Sequence, residues 1–271
     1  MPATRTAPPA PAAARPTVRT IGADDLRWAL QQGFNDLLAM RGDIYFAALF
    51  YPLLAIIAAA LALNAGLLPL VFPILAGMAL LGPVSAIGFY ELARRREAGL
   101  ESGFAHFWDF ARRPAADAIL AVAALLVAIF FLWLGAAALA YLAVVDEWQA
   151  PSIGAFLHLL VDTRAGWTLI IVGNLVGALF AVLVLAASIV SLPMLVDGEV
   201  DARSALATSF AAFRANPRVL IGWGTIIAAM LLIGALPLFI GLAAILPWLG
   251  YATWHLYTRI IDRETVPAKD R

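Results

Sequence analysis

Long apolar runs separated by short polar segments dominate the chain after its first forty residues. A helix needs about 20 predominantly apolar residues to cross a hydrocarbon core that is roughly 30 Å thick. Runs of this length predict membrane-spanning helices at about 44–63, 68–90, 118–145 and 167–196, and none of the four contains Asp, Glu, Lys or Arg. Because only Asn64–Leu67 separates the first two, they are expected to form a tight hairpin.

The last apolar run extends from Val219 to about Ile261. As one helix it would be about 60 Å long, twice the thickness of the hydrocarbon core, so it must fold back. Proline ends the helical hydrogen-bond ladder. We therefore place the turn near Leu236-Pro237, with Gly241 as an alternative, and predict spans at about 219–236 and 238–258.

The positions of the basic residues test this count of six spans. Cytoplasmic loops of membrane proteins carry an excess of Lys and Arg. Six spans place all but one of the 18 Lys and Arg residues on one side of the membrane, and the other side has only Arg164. Both termini are therefore predicted to be cytoplasmic. Five spans would move the basic C-terminal end to the opposite side.

Shorter amphipathic stretches precede the odd-numbered spans. The segments 26–38, 104–111 and 202–213 each have one apolar stripe at helical spacing, as interfacial helices have, and 153–161 has the same pattern on the other side of the membrane. The unit of surface helix and spanning hairpin thus occurs three times. Repeats of this kind occur in folds with a central pathway, and they also arise by duplication in bundles that have no pathway.

The composition agrees with a membrane protein. The chain is 63% apolar and 13% charged, with a mean hydropathy of +0.89, whereas soluble domains have roughly 45–50% apolar and about 25% charged residues. The predicted fold class is all-α, a polytopic membrane helix bundle of six transmembrane helices with short amphipathic interfacial helices. Residues 21–261 form the membrane domain, 1–20 a disordered cytoplasmic tail and 262–271 a second cytoplasmic tail. The zero net charge gives no indication of a nucleic-acid partner, and there are no cysteines.

Four separated segments resemble the bacterial "domain of unknown function 2189" family of predicted integral membrane proteins. They include Gly82–Gly99, Ser191–Asp197 with Asp201-Ala202, Ala215–Pro217 and Leu249–Tyr257. The resemblance covers roughly Ile21 to Ile261, and it implies a multi-span bacterial membrane protein without implying an activity. Together with the helical spans, it leads us to predict a location in the bacterial inner membrane.

No cofactor or metal is expected. A haem needs axial ligands, usually histidines, inside the bundle. Of the three histidines, His106 and His158 lie outside the predicted spans and only His255 is near membrane depth, so no pair stands on facing helices.

The most prominent candidate functional residue is Glu91, at the cytoplasmic end of the second span. Ionisable groups at membrane depth are candidates for function by default, and a carboxylate there could gate a pathway or bind a cation. Alternatively it pairs with Arg94 or Arg95 on the same helix face. The adjacent Arg94, Arg95 and Arg96 could contact anionic lipid head groups or serve only to fix the topology.

Two further residues complete the candidate set. Pro83, which follows Gly82, makes the second span the best candidate for a functional kink, because broken helices bind ligands in some transporters. His255 could titrate near neutral pH, or it could sit at the interface with a backbone or water partner. In the fourth span, Gly173 and Gly177 form a G-x-x-x-G pair that permits close helix approach.

The sequence contains no motif of a known catalytic site, such as H-E-x-x-H, a P-loop or G-x-S-x-G. We therefore predict a non-enzymatic role, either membrane organisation or partner binding, with the bilayer and its anionic head groups as contacts. One alternative is a passive channel or small-solute transporter. Another is a lipid-acting enzyme that uses Glu91, Glu97 or Asp109.

Overall fold

The structure is a computed structural model, and its described part is built from helices. It describes residues 16–40, 67–145, 152–237 and 239–266, together with Leu53, Ile56 and Ala60. The first predicted span, 44–63, lies almost entirely outside the described residues. Most of the two predicted tails, 1–20 and 262–271, lies outside them too.

The α-helices of the described part follow the apolar pattern of the sequence. The second predicted span consists of three consecutive helices after a 3₁₀ turn at Leu68–Leu70, and the fourth consists of two. In chain order the α-helices are α1 (Ala23–Ala39), α2 (Val71–Leu80), α3 (Gly82–Ser85), α4 (Ile87–Glu97), α5 (Ala116–Val145), α6 (Ile153–Asp162), α7 (Arg164–Ser188), α8 (Ser191–Asp197), α9 (Ala202–Ala215), α10 (Pro217–Ala235) and α11 (Leu242–Ile260).

Three stretches of the described helices are long and apolar enough to cross a membrane, namely Ala116–Val145, Arg164–Asp197 and Pro217–Ala235. Only 11% to 28% of the residues in their most apolar windows are buried within the protein. Large side chains such as Leu120, Leu139 and Leu179 are more than two-thirds exposed. Apolar surface this extensive must be covered by lipid, because soluble monomers rarely expose contiguous apolar patches larger than a few hundred Å². The protein is therefore an integral membrane protein.

Both described ends of the chain meet at one end of the bundle. The Arg19 amide donates to the carbonyl of Ile260 at 2.7 Å, and the Asp262 amide donates to the carbonyl of Thr17 at 3.0 Å. The buried Asn216 side chain joins them, since its Oδ1 accepts from the Ile21 amide and its Nδ2 donates to the carbonyl of Arg19. The described residues 17–20 and 262–266, which the sequence assigns to the tails, therefore take part in the fold.

The best-buried part of the described protein lies at this same end. We call it the terminal layer, and it comprises α1, α4, α8, the C-terminal half of α11 and the chain ends 17–21 and 260–266. From Ile87 to Ala93, from Ser191 to Val196 and from Leu249 to Trp254 every residue is buried. The long helices are mostly exposed, whereas the residues of this layer are mostly buried. Tertiary packing is therefore concentrated at one end of the spans.

The breaks in the second and fourth predicted spans have separate causes. Gly82-Pro83 begins α3, as the sequence predicts for a kink, because proline lacks the amide hydrogen of a helix interior. At the bend between α7 and α8, one backbone carbonyl and one backbone amide form hydrogen bonds with the Ser209 side chain. Its hydroxyl donates to the carbonyl of Ala186 at 2.8 Å and accepts from the Val190 amide at 3.2 Å.

The Trp133 side chain of α5 packs between α2 and α7 in the middle of the spans, and we call this contact the tryptophan wedge. Trp133 of α5 donates its indole N–H to the carbonyl of Pro73 at 2.9 Å. A Cβ atom on Gly77 of α2 would lie 2.9 Å from the Trp133 ring, and one on Gly177 of α7 would lie 3.2 Å from it. By contrast, a Cβ on Gly173 would meet nothing within 4 Å. Of the predicted G-x-x-x-G pair, only Gly177 makes a close contact.

The predicted amphipathic segments differ from one another in structure. The first and third are helical, as α1 and α9, whereas 104–111 forms two short 3₁₀ helices at Phe104–His106 and Asp109–Arg112 instead of one surface helix. There the Phe107 ring occupies the space that a Cβ on Gly88 would need, at 2.3 Å. The aromatic side chains are thus positioned by a turn and not by a helical stripe.

The apolar stripe of α1 packs mainly on protein and does not lie wholly on the bilayer. Leu26, Ala29 and Leu37 are buried in the core, and a Cβ on Gly33 would lie 2.5 Å from the backbone nitrogen of Ala252 in α11. A short amphipathic helix at 153–161 is confirmed as α6. Its Ile153, Leu157 and Val161 are all more than half exposed, on one face.

The turn between the last two predicted spans includes both predicted turn positions, Leu236-Pro237 and Gly241. Helix α10 ends at Ala235, and α11 begins at Leu242 instead of near residue 238. Phe239 adopts a left-handed backbone with φ of 65°. A Cβ on Gly241 would lie 2.9 Å from the backbone of Gly234, so the turn closes through glycine-to-glycine contact.

Candidate functional site

Glu91 lies at the centre of a buried ion-pair cluster in the terminal layer. Its residue exposure is 1%, and Arg94, one turn later on α4, holds its carboxylate through two hydrogen bonds of 2.7 and 3.1 Å. Arg113, on the loop before α5, lies 3.6 Å away and also donates to the carbonyl of Val196 at the end of α8. The cluster therefore joins three elements around one carboxylate.

A second cluster lies next to it, around Arg263. This guanidinium binds both carboxylate oxygens of Asp197 at 2.7 and 2.8 Å, and it binds Glu97 at 2.8 Å. The Tyr257 hydroxyl also donates to Asp197 at 2.9 Å, and the Trp254 indole donates to Glu97 at 3.3 Å. The ends of α4, α8 and α11 thus meet at one cation.

Electrostatics favour the charged state of this second cluster. Burial alone would lower the pKa of Arg263, but its hydrogen bonds to Asp197 and the neighbouring Glu97 raise that pKa above its ordinary value. For Arg113 burial dominates and lowers the pKa, although Glu91 opposes the shift. Both clusters line a polar cleft of about 600 Å³, whose rim also carries the exposed Glu199 and Glu264.

The remaining two arginines of the predicted basic cluster diverge from Arg94. Arg95 pairs with Asp109 at 3.3 Å and also donates to the carbonyl of Glu101. Arg96 pairs with Asp36 of α1 at 3.0 Å. The three consecutive arginines thus have three different acidic partners, and they do not form one basic surface.

His255 has a carboxylate partner, not the backbone or water partner that the sequence suggests. Its Nε2 lies 2.8 Å from Oδ2 of Asp36, and the edge of its ring meets Trp28 with 5.7 Å between ring centroids. Asp36 is 6% exposed and is shared with Arg96. His255 therefore joins α11 to α1.

Asp109 organises the turn between α4 and α5. It lies 2.7 Å from Nδ1 of His106 and 3.5 Å from Arg112. The hydrogen bond with His106, supported by the charges of His106, Arg95 and Arg112, lowers the pKa of the Asp109 carboxyl below its ordinary value.

A second space lies below the terminal layer, among the spans. It is an apolar cavity of about 480 Å³ between α2–α4, α7, α10 and α11, and Pro83 is part of its lining. Three hydroxyl-bearing residues at its terminal-layer end, Tyr90, Ser188 and Thr253, also line it. The kinked second span therefore borders an internal space.

Sequence reasoning missed most partners of the candidate residues. Arg113, Asp197, Arg263 and Asp36 carry the ion pairs, yet each looks like an ordinary loop or surface charge when read along the chain. The one sequence feature that sets these residues apart is their position, because they flank long segments that contain no charged residue. Within the described ranges no group of three or more His, Asp or Glu side chains could hold a metal ion.

The comparisons with known proteins address part of the chain. Residues 71–197 match the sequence model of a family described as predicted integral membrane protein (DUF2189). This region contains Glu91, Arg94, Arg113 and Asp197, and it stops before Arg263. No curated protein and no solved structure matches the chain.

Proposed function

We propose that this chain, which belongs to the DUF2189 family of predicted integral membrane proteins, is a non-enzymatic, six-span protein that organises or binds partners in a bacterial inner membrane. One observation carries the proposal. Glu91, Arg94, Arg95, Arg96 and His255 all contact charged groups of the same chain. Such an arrangement fastens helices together and occupies the charged groups of these five residues.

Three observations support six spans. The chain ends meet in the terminal layer, so an even number of crossings separates them. Three described stretches are long and apolar enough to cross a membrane, Ala116–Val145, Arg164–Asp197 and Pro217–Ala235. We assign one further crossing to α2–α4 and one to α11, which brings the total to five. Met40 accepts from Tyr251 in the terminal layer, whereas Leu68–Leu70 contacts α6 at the opposite end. A sixth crossing between them agrees with the apolar sequence at 44–63.

The positive-inside rule then makes the terminal layer cytoplasmic. Reporter fusions after Arg271 and within Asn64–Leu67 test this orientation. We expect cytoplasmic activity from the first fusion and periplasmic activity from the second. The same compartment for both would reject the six-span topology.

We propose that arginines other than Arg94–Arg96 contact the anionic head groups. Arg203, Arg214 and Arg218 are exposed and make no ion pair with any described residue. They lie on α9 and at the start of α10, next to the predicted membrane surface. Basic side chains near an anionic surface contribute about 1 kcal/mol each. The amount of phosphatidylglycerol that stays bound to the detergent-purified protein should fall when these three become Gln.

A flux assay separates the proposal from the channel or transporter alternative. Purified protein in liposomes should give no ion or small-solute flux above that of protein-free liposomes. The variant Glu91→Gln should behave in the same way, because Glu91 is assigned a structural role. Robust flux that disappears in Glu91→Gln and persists in the control Glu199→Gln would overturn the proposal.

A further inference from the structure

The apolar cavity has the size and chemistry of a ligand site. Its volume of about 480 Å³ is within the range of roughly 300–1,000 Å³ that is typical of small-molecule pockets. Among the residues that the structure describes, no Asp, Glu, Lys, Arg or His belongs to its lining. Because burying an unpaired charge is very costly, its occupant must be uncharged.

Four hydroxyl-bearing residues line the cavity, and one of them, Thr225, already donates to the carbonyl of Ile221. The other three give the cavity a polar end. Tyr90, Ser188 and Thr253 come from α4, α7 and α11 and are 2%, 3% and 7% exposed. Their side chains make no hydrogen bond to any other residue in the described part of the chain. A hydroxyl that lines the cavity without a protein partner leaves its hydrogen bonds to be made there, so a hydrogen-bonding ligand group would be favoured.

The polar end faces the terminal layer, and the other end is aliphatic. Along the second predicted span, the lining runs from Ala79 to Tyr90, and along α7 it runs from Ala178 to Ser188. At 1.5 Å per residue each distance is about 15 Å, which is about half of a 30 Å hydrocarbon core. The cavity is therefore about as deep as one leaflet, with its polar end at the membrane surface.

The dimensions also limit the shape of the occupant. A volume of about 480 Å³ that extends over about 15 Å is narrow and much longer than it is wide. This is the shape of a single extended apolar chain.

We propose that this cavity binds a single-chain, uncharged lipid whose hydroxyl or carbonyl group hydrogen-bonds to Tyr90, Ser188 and Thr253. The apolar chain extends from there toward Ala178 and Leu246, near the middle of the membrane. The lipid enters from the leaflet that borders the terminal layer. This inference goes beyond the proposed function and relies on it only for the identity of that leaflet.

Photolabelling in nanodiscs tests the site, with a diazirine-bearing monoacylglycerol as the probe and peptide mass spectrometry as the readout. We expect label on the cavity-lining stretches of α7 and α10. In Gly82→Leu the new side chain enters the cavity, because a Cβ on Gly82 meets nothing within 4 Å, and labelling should be lost. The matched control is Gly135→Leu, where a Cβ also meets nothing within 4 Å and the residue does not line the cavity. Labelling of this control should equal that of the wild type.

The role of the hydroxyl groups is tested with the triple variant Tyr90→Phe, Ser188→Ala, Thr253→Val. Loss of the ligand's hydrogen bonds should weaken labelling about tenfold. Unlabelled monoacylglycerol should compete with the probe, and lysophosphatidylglycerol with the same chain should not. Equal labelling in Gly82→Leu and wild type, or equal competition by the charged lipid, would overturn the inference. Neither outcome would alter the fusion or flux results, so the two proposals fail separately.

Discussion

Asp197 and Arg263 form a two-pronged ion pair although 66 residues separate them in sequence. Asp197 ends α8, which is buried along most of its length, and Arg263 follows α11. Two parallel N–H···O bonds between a guanidinium and a carboxylate fix orientation as well as distance. The pair thereby ties the end of the fourth predicted span to the segment after the sixth.

A double-mutant cycle measures this pair. Asp197→Asn and Arg263→Gln should each lower the free energy of unfolding in mixed micelles, because each leaves a partly buried charge without its partner. The double variant should be little worse than either single one, which corresponds to a coupling free energy of about 1–3 kcal/mol. Strictly additive effects would show that the pair contributes nothing jointly.

Glu91→Gln should destabilise the protein more than any exposed acidic substitution. It leaves Arg94 and Arg113 close together in a buried site without their carboxylate. Removing one partner of a buried pair costs about 3–5 kcal/mol, and the melting temperature in detergent should fall by about 10 °C. The exposed Glu199 provides the control, since Glu199→Gln should change stability by no more than about 0.5 kcal/mol. Similar melting temperatures for the two variants would contradict the structural role of Glu91.

The tryptophan wedge predicts opposite effects for one substitution at two span glycines. Gly77→Ala places a Cβ 2.6 Å from the Phe130 ring and 2.9 Å from Trp133, and such overpacking costs about 1–3 kcal/mol. Gly173→Ala meets open space and gains helix propensity, by up to about 1 kcal/mol. Thermal melting of both variants checks the prediction, which fails if Gly77→Ala is as stable as Gly173→Ala.

Asp109 gives the turn before α5 a defined response to acid. Its pKa is lower in the folded protein than its ordinary value of 3.8, first through the hydrogen bond with His106. A lowered folded-state pKa stabilises the protein fully above the unfolded pKa, and the stabilisation is lost as pH falls through the folded value. The wild type should therefore melt at a higher temperature than Asp109→Asn above about pH 5.

This difference should shrink below pH 3.8, as Asp109 takes up its proton. Melting curves recorded from pH 7 down to pH 3 measure it. A constant difference between the two proteins across that range would show that Asp109 does not carry the effect.

Much of the helical framework could be predicted from apolar run length. The predicted spans 118–145 and 219–236 differ by no more than two residues at either end from α5 and α10. The prediction was less accurate where local chemistry interrupts a run. The fourth span bends at Ser188–Ser191 because Ser209, about twenty residues later, satisfies the freed backbone groups. The segment 104–111 turns instead of forming a helix, and the Phe107 ring packs at Gly88.

The candidate site was predictable only within one helical turn. The interpretation of Glu91 as a partner of Arg94 follows from their spacing of three residues, and the structure has that pair. Arg113, Asp36 and Arg263 are 22, 55 and 172 positions from Glu91 in the sequence, and no periodic pattern connects them with it. Ion pairs between elements depend on how the elements pack, which local spacing does not specify.

The sequence by itself determined that this protein is helical and immersed in lipid, since uncharged runs of about 20 residues leave few other ways to satisfy the backbone in hydrocarbon. Only the tertiary structure decided that the two chain ends pair with each other, that Trp133 fills the space beside Gly77 and Gly177, and that an apolar cavity lies beneath a layer of ion pairs. Hydrophobicity acts on each segment separately. Ion pairs, close glycine contacts and cavities arise between segments, so they exist only once those segments are packed together.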